Sequence, residues 1–154
     1  MKKIFTAVLA LMMLLPVTAT VNANDAKSDK NISPSEDIRI DYGVSKLFSK
    51  SDMDAAITEV LTMFDKWQGC ELHSILYVGD ECNNAENLRW MNELAAAKGH
   101  KDKMVYCMEF LSDFYVSREA EKHTTFNPET EYKNWQWWLA RSEKGEWHLL
   151  TFGY

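Results

Sequence analysis

The chain has 154 residues, of which 46% are hydrophobic, 26% charged and 12% aromatic, and this composition is typical of a globular protein rather than a disordered, collagenous or coiled-coil one. Six Trp, six Tyr and seven Phe against six Gly and three Pro indicate a small core built from a few large side chains. The net charge of −6 opposes phosphate backbones and anionic lipids, so we expect neither nucleic acid nor a membrane surface as a partner.

The first segment, residues 1–23, has the pattern of a secretory signal peptide. Two lysines precede the apolar run 4–15, and the small residues at 21–23 fit a cleavage site. An apolar run of about a dozen residues is shorter than the roughly 20 that a membrane-spanning helix needs. We therefore expect a secreted protein, extracellular or periplasmic, with no membrane insertion after cleavage.

The next segment, residues 24–41, reads NDAKSDKNISPSEDIRID. It has too few apolar residues to offset the entropy of ordering it, which predicts a flexible linker. A single α+β domain over 42–154 is expected to follow. Its first helix is predicted from apolar residues spaced three and four apart between Met53 and Trp67, with Ser51 as N-cap and Gly69 as its end.

The remaining elements follow from changes in hydrophobic period. Alternation predicts a strand over 70–79, and a second helix is expected between Asn84 as N-cap and Gly99. The longest predicted strand is 104–116. Large apolar residues lie on both of its faces, so we expect both to be covered.

The last part of the chain is predicted to be a long loop and a hairpin. Residues 117–130 are polar, contain one proline and have no period, which indicates a loop long enough to be a lid or a rim. Strands 132–141 and 146–154 are predicted to pair around the Lys144-Gly145 turn.

This order of elements predicts an α+β fold, with a curved antiparallel sheet of about four strands and two main helices on one face. The tryptophan-rich ending WLAR, GEW and FGY, at 138–141, 145–147 and 152–154, resembles the nuclear-transport-factor-2-like superfamily, which implies a cone-shaped, cystatin-like fold over 42–154. The segments DMDAAI, GCELHSI, GDECN and SDF are similar to those of small secreted bacterial proteins of unknown function. That second resemblance implies no activity.

The three cysteines, Cys70, Cys82 and Cys107, allow at most one internal disulfide. Cys107 lies in a strongly apolar run, so we expect it to be buried and, where a disulfide forms, to pair with Cys70 or Cys82. Spacing does not decide between these partners. No spacing matches a zinc-ligand pattern, and we expect neither a metal site nor a cofactor.

Four ionisable side chains on the predicted strands are weak candidates for catalysis: His73, Tyr77, Glu109 and Asp113. The superfamily resemblance implies a pocket between sheet and helices, in which enzymatic members place an acid–base residue. A small pocket enzyme of the dehydratase or isomerase kind, with His73 or Asp113 as base, is therefore one interpretation. Isolated ionisable residues on a sheet are more often solvated or paired across strands, so we favour a protein without catalytic activity.

The favoured interpretation is a non-catalytic module that binds a small molecule, an extracellular protein or a glycan. Aromatic rings can stack on sugars or flat ligands, and the candidate binding residues are Trp138, His148 and Arg141. Residue parity predicts that Trp135, Trp137 and Trp147 fill the core, while Trp138 lies on the other face of the sheet.

Overall fold

The computed structural model describes residues 37–154 and has an α+β architecture with two α-helices, as predicted. Its principal elements are β1 (Arg39–Asp41), α1 (Lys50–Phe64), β2 (Cys70–Tyr77), α2 (Ala85–Ala97), β3 (Tyr106–Val116), β4 (Thr130–Arg141) and β5 (His148–Gly153). Two short 3-10 helices, Asp80–Cys82 and Arg118–Lys122, lie in the connections. Neither α1 nor α2, nor any other helix within 37–154, has the length and apolar character needed to cross a membrane.

The sheet has five strands in the order β1-β2-β3-β4-β5 and is mixed, since β1 runs parallel to β2 and the other pairs are antiparallel. The four strands β2–β5 are antiparallel, and the predicted sheet of about four antiparallel strands differs from the structure by one additional strand that pairs in parallel. The missing strand is β1, which lies within the predicted linker 24–41. Its three residues contain one apolar side chain, Ile40, and a pattern so short does not stand out in a polar stretch. The predicted signal peptide and the remainder of the linker before residue 37 lie outside the described residues.

The two helices lie on opposite faces of the sheet, and not on one face as we expected. Trp137 and Trp138 are neighbours on β4, so their side chains point to opposite faces. The Phe64 ring of α1 lies 6.5 Å from the Trp137 ring, whereas the Trp90 ring of α2 lies 5.4 Å from that of Trp138. We call these the α1 face and the α2 face. The prediction that both faces of the longest strand are covered is confirmed.

The expected curvature is also corrected, because the sheet is uncurled. The predicted geometry assumed a one-sided core, around which a sheet must bend to enclose its apolar residues. A sheet with a helix on each face buries both sets of side chains without curling. The arrangement of the helices thus accounts for the shape of the sheet.

Each helix begins at a side-chain cap. In α1 the N-cap is Ser49 and not the predicted Ser51, because Asp52 completes a capping box with Ser49: the Asp52 amide donates to Ser49 Oγ at 3.1 Å, and the Ser49 amide donates to Asp52 Oδ2 at 3.0 Å. In α2 the predicted cap is confirmed, since Asn84 Oδ1 accepts a hydrogen bond from the Asn87 amide at 2.9 Å.

The tryptophans of the hairpin divide between the two faces. Trp137 is fully buried and Trp147 nearly so, while Trp135 is partly buried against the same core. Trp138 lies on the α2 face, as predicted, but it is only 8% exposed because Trp90 covers it. Truncating Trp138 to alanine would therefore open a cavity in the core. We expect this change to destabilise the protein, as it would not at an exposed position.

The polar atom of the buried Trp137 indole is Nε1, and this atom makes one hydrogen bond. Its Nε1 donates to Ser112 Oγ at 2.8 Å, across the β3–β4 pair. Ser112 is itself buried, one of two buried polar side chains within 37–154. The bond satisfies an N–H group that water cannot reach.

Replacing Ser112 by alanine leaves that N–H without an acceptor. We expect Ser112→Ala to lower the free energy of unfolding, measured with urea, by about 1–3 kcal/mol. The same change at exposed Ser51 of α1 is the control, with an expected effect within about 0.5 kcal/mol. Equal effects at the two positions would show that the bond to Trp137 contributes nothing to stability.

Candidate functional site

The α1 face carries an open cleft with aromatic walls and a volume of about 610 Å³. We call it the aromatic cleft; it is lined by Trp67, Lys122, His123, Thr124, Thr125, Phe126, Trp135 and Phe152. Four of these side chains are aromatic, and three of the polar ones, at 122, 123 and 125, are exposed. The cleft thus combines flat apolar walls with a polar rim, which is the general character of small-molecule sites.

Trp67 is the residue that joins this cleft to the core. Its ring lies 4.9 Å from that of Phe126, 5.5 Å from Phe152 and 6.0 Å from Trp135, all in the cleft. It also lies 5.3 Å from the buried ring of Trp137. We expected Trp67 on the stripe of the first helix, but α1 ends at Phe64. Its position beyond the helix lets the indole form part of the cleft wall.

The opposite wall is formed by the loop predicted over 117–130. The loop approaches the chain closely at Gly69, whose φ is +80° and where a Cβ atom would lie 2.6 Å from the Ala120 amide nitrogen. The Ser117 amide donates to the Gly69 carbonyl at 2.9 Å. Because this contact holds the loop against the end of α1, residues 122–126 are brought to the rim of the cleft.

Among the cleft residues, one buried polar atom has no hydrogen-bond partner within residues 37–154. Trp135 Nε1 is buried and has no hydrogen-bond acceptor among the residues that the structure describes. An unsatisfied buried N–H typically costs about 1–3 kcal/mol. Trp147 Nε1 and Arg141 Nε share this property, but neither residue lines the cleft. Trp135 therefore has an unused donor beside the cleft, which a ligand acceptor reaches only by displacing the atoms that cover it.

The four predicted catalytic residues do not converge. Strand alternation and register place Glu109 and Asp113 on the α2 face, whereas Tyr77 pairs with Phe110 and lies buried on the α1 face. Burial raises the pKa of the Tyr77 hydroxyl far above its ordinary value, and burial also raises the pKa of the Glu109 carboxyl. No single cavity can be reached from both sides of the sheet.

His73 and Asp113 each contact strand β4, Asp113 from the adjacent strand β3 and His73 from β2, two strands away. His73 lies at the β2 bulge, with Nδ1 3.1 Å from Glu131 Oε1. Asp113 Oδ1 accepts a hydrogen bond from the Asn134 amide at 2.9 Å. These are the cross-strand pairings that isolated ionisable residues on a sheet usually make.

The three predicted binding residues are likewise separated. Trp138 is packed under Trp90, and His148 stacks on His100 with ring centroids 4.3 Å apart, both on the α2 face. Burial, and then the neighbouring His100, lower the pKa of His148. Arg141 lies on the α1 face, where its guanidinium pairs with Asp52 at 3.0 Å. None of the three lines the aromatic cleft.

A second groove lies between α2 and the segment before β3, with a volume of about 740 Å³. Its lining includes Leu88, Ala96, Met104 and Val105. Asn92 closes its base, since its side chain bonds both the amide and the carbonyl of Met104 at 2.8 and 2.9 Å. This groove has neither an aromatic wall nor a buried unpaired donor, so it offers less to hold a ligand than the aromatic cleft.

Within residues 37–154, His, Cys, Asp and Glu side chains form no group of three or more that could hold a metal ion. Comparisons of this chain with protein-family models, with curated proteins and with solved structures find no match. The resemblance to the nuclear-transport-factor-2-like superfamily therefore stays a prediction. The function is therefore inferred from the geometry of the aromatic cleft.

A substitution at Gly69 tests how the cleft wall is positioned. Gly69→Ala combines the left-handed backbone with a clash against Ala120, whereas Gly99→Ala at φ +86° meets no atom within 4 Å. Gly99→Ala is the control, and its free energy of unfolding should fall only by the cost of a left-handed backbone at alanine, about 1–2 kcal/mol. We expect Gly69→Ala to lose at least about 1 kcal/mol more in urea unfolding. Equal losses would mean that the loop does not depend on this contact.

Asp80 gives the fold a dependence on pH. Its carboxylate accepts hydrogen bonds from the Ser45 hydroxyl, the Lys46 amide at 2.7 Å and the Tyr77 hydroxyl at 2.9 Å. The Ser45 bond is the largest cause that lowers the Asp80 pKa below its ordinary value of 3.8. A lowered pKa means that the stabilisation is complete above the ordinary pKa and is lost as pH falls through the folded one.

We therefore expect Asp80→Asn to lower the free energy of unfolding by about 1–2 kcal/mol at neutral pH. The difference from the unmodified protein should shrink as the pH is lowered below 3.8. Urea titrations across the acid range measure it, with Asp102→Asn in the exposed 101–103 loop as control. A difference that does not change with pH would contradict this assignment.

Proposed function

We propose that this protein is a secreted, non-catalytic binding module and that its ligand is a neutral glycan held in the aromatic cleft. The observation that carries the proposal is the combination of Trp67, Phe126, Trp135 and Phe152 around one open cleft with the unpaired Trp135 Nε1 donor.

The walls of the cleft favour a ring-shaped ligand. Indole and phenyl faces are broad and rigid, and they can stack on the apolar face of a sugar ring. Phe152 is 37% exposed, and Tyr154, 75% exposed, lies 5.0 Å from the Trp135 ring and extends the aromatic surface. An exposed aromatic surface of this kind on a small soluble domain is typical of a binding site.

The polar groups favour a ligand rich in hydroxyls. Trp135 Nε1 donates only, so its partner must bring an acceptor. The hydroxyl of exposed Thr125, which can both donate and accept, lies on the same cleft, whereas that of Thr124 already donates to the Ala120 carbonyl and accepts from the Phe126 amide. The net charge of −6 weighs against a strongly anionic ligand, and Lys122 gives the rim of the cleft one positive charge. A neutral glycan meets all three conditions.

The pocket-enzyme alternative has no observation in its favour. It requires a base, His73 or Asp113, and a hydrogen-bond donor, the Tyr77 or Tyr106 hydroxyl, to face one substrate. Register places both tyrosines on the opposite face from Asp113, and the Tyr77 hydroxyl donates a hydrogen bond to Asp80 at 2.9 Å. A general base must come within hydrogen-bond reach of the proton it removes, together with its acid partner.

Indole N–H resonances provide a direct test, because the chain has six Trp and each gives one signal. The uniformly ¹⁵N-labelled protein is titrated with neutral cello-, chito-, xylo- and malto-oligosaccharides. We expect at least one series to shift the Trp67 and Trp135 signals and to leave that of Trp90, on the α2 face, unchanged. Each signal is assigned by its loss in the matching Trp→Phe variant.

Trp135→Phe separates binding from folding, since it keeps an aromatic ring and removes the Nε1 donor. We expect it to weaken glycan binding about tenfold, equivalent to the roughly 1.4 kcal/mol of one lost hydrogen bond. Trp90→Phe is the matched control and should bind normally. No shift of the Trp67 and Trp135 signals with any series at millimolar concentration, or equal losses in the two variants, would refute the proposal.

A further inference from the structure

We propose that Cys82 and Cys107 form the single disulfide of this protein, while Cys70 remains a thiol. In the structure all three cysteines are free. The inference concerns a covalent modification site on the α2 face and does not depend on the proposed ligand.

The two cysteines are brought into reciprocal contact. Cys107 Sγ lies 3.2 Å from the Cys82 carbonyl oxygen, and Cys82 Sγ lies 3.8 Å from that of Cys107. Both are buried, which confirms the expectation for Cys107. The adjacent Asn83 accepts a hydrogen bond from the Cys107 amide at 2.8 Å, so the 3-10 helix that contains Cys82 is held against the start of β3.

Strand register excludes Cys70 as the partner. Cys70 pairs with Val116 at the far end of β3, whereas Cys107 is near its beginning. At roughly 3.3 Å per residue this separation is about 30 Å. A disulfide requires Cα atoms about 4.4–6.8 Å apart. Since Cys82 lies beside Cys107, the same distance separates Cys70 from Cys82.

The bond forms by two exchange steps with a disulfide oxidant, either oxidised glutathione or the active-site disulfide of a thiol oxidase. One cysteine thiolate attacks the oxidant to give a mixed disulfide and releases one thiolate. The second cysteine then attacks the mixed disulfide and releases the other. The two cysteines lose two protons and two electrons, and the oxidant is reduced to two thiols.

The timing of this step follows from burial. Burial raises the pKa of Cys82 to about 11 and that of Cys107 to about 12. The thiolate is the attacking species, so both groups react slowly once the protein is folded. Oxidation therefore takes place while the chain folds, when the thiols still meet the oxidant, and the product is then shielded from reduction.

The test is a disulfide map of the full chain after refolding in a mixture of reduced and oxidised glutathione. Remaining thiols are alkylated, and the protein is cleaved after glutamate, because Glu71 and Glu81 separate Cys70 from Cys82. Mass spectrometry should find one linked pair of peptides containing Cys82 and Cys107, and an alkylated Cys70. Three alkylated cysteines, a bridge to Cys70 or a linked dimer would each overturn the proposal.

Thermal melting supplies a second readout. Reduction should lower the melting temperature of the refolded protein and of Cys70→Ser by roughly 10 °C, since the bond closes a loop of 25 residues. Reduction should leave the melting temperature of the Cys82→Ser variant unchanged. Where Cys82→Ser does not fold, the comparison of oxidised and reduced Cys70→Ser decides, and equal melting temperatures would overturn the proposal.

Discussion

The fold depends on burying two large neighbouring side chains that point in opposite directions. Trp137 and Trp138 are adjacent on β4, and each indole carries about 150–250 Å² of surface. A strand with bulky groups on both sides needs cover on both sides. Phe64 of α1 and Trp90 of α2 provide it, so one helix is committed to each face. The sheet is therefore a central layer and not the wall of a one-sided core.

The aromatic cleft follows from the length of α1. The helix ends at Phe64, before it has covered the whole α1 face, and the chain turns away through Gly69 into β2. Trp67, Trp135 and Phe152 lie where the helix no longer covers the sheet. The loop at 122–126 encloses them from one side only. The cleft is thus an uncovered extension of the hydrophobic core.

Several elements could be predicted because they carry long periodic patterns. The apolar spacing of α1, the alternation of β3 and the Asn84 cap of α2 each involve local contacts that one stretch of sequence contains. β1 has three residues and depends on contacts with distant parts of the chain, since it pairs with β2 and its Ile40 packs against the core. Periodicity also does not show which face of the sheet a helix covers. An amphipathic stripe shows which side of the helix is buried, but not the face of the sheet against which it packs.

The candidate site was missed for a related reason. Its side chains come from four distant segments, at 67, 122–126, 135 and 152, and only the register of β4 with β5 and the contact at Gly69 bring them together. The sequence predicted catalytic candidates among ionisable residues on the strands, but His73 and Asp113 are paired with groups on another strand. Within the cleft, Trp67 also packs on Trp137, so its removal would perturb folding and binding alike. Trp135 Nε1 has no hydrogen-bond partner within residues 37–154, so Trp135→Phe removes this donor without breaking a bond of the fold, and a loss of binding in that variant reports a lost contact with the ligand.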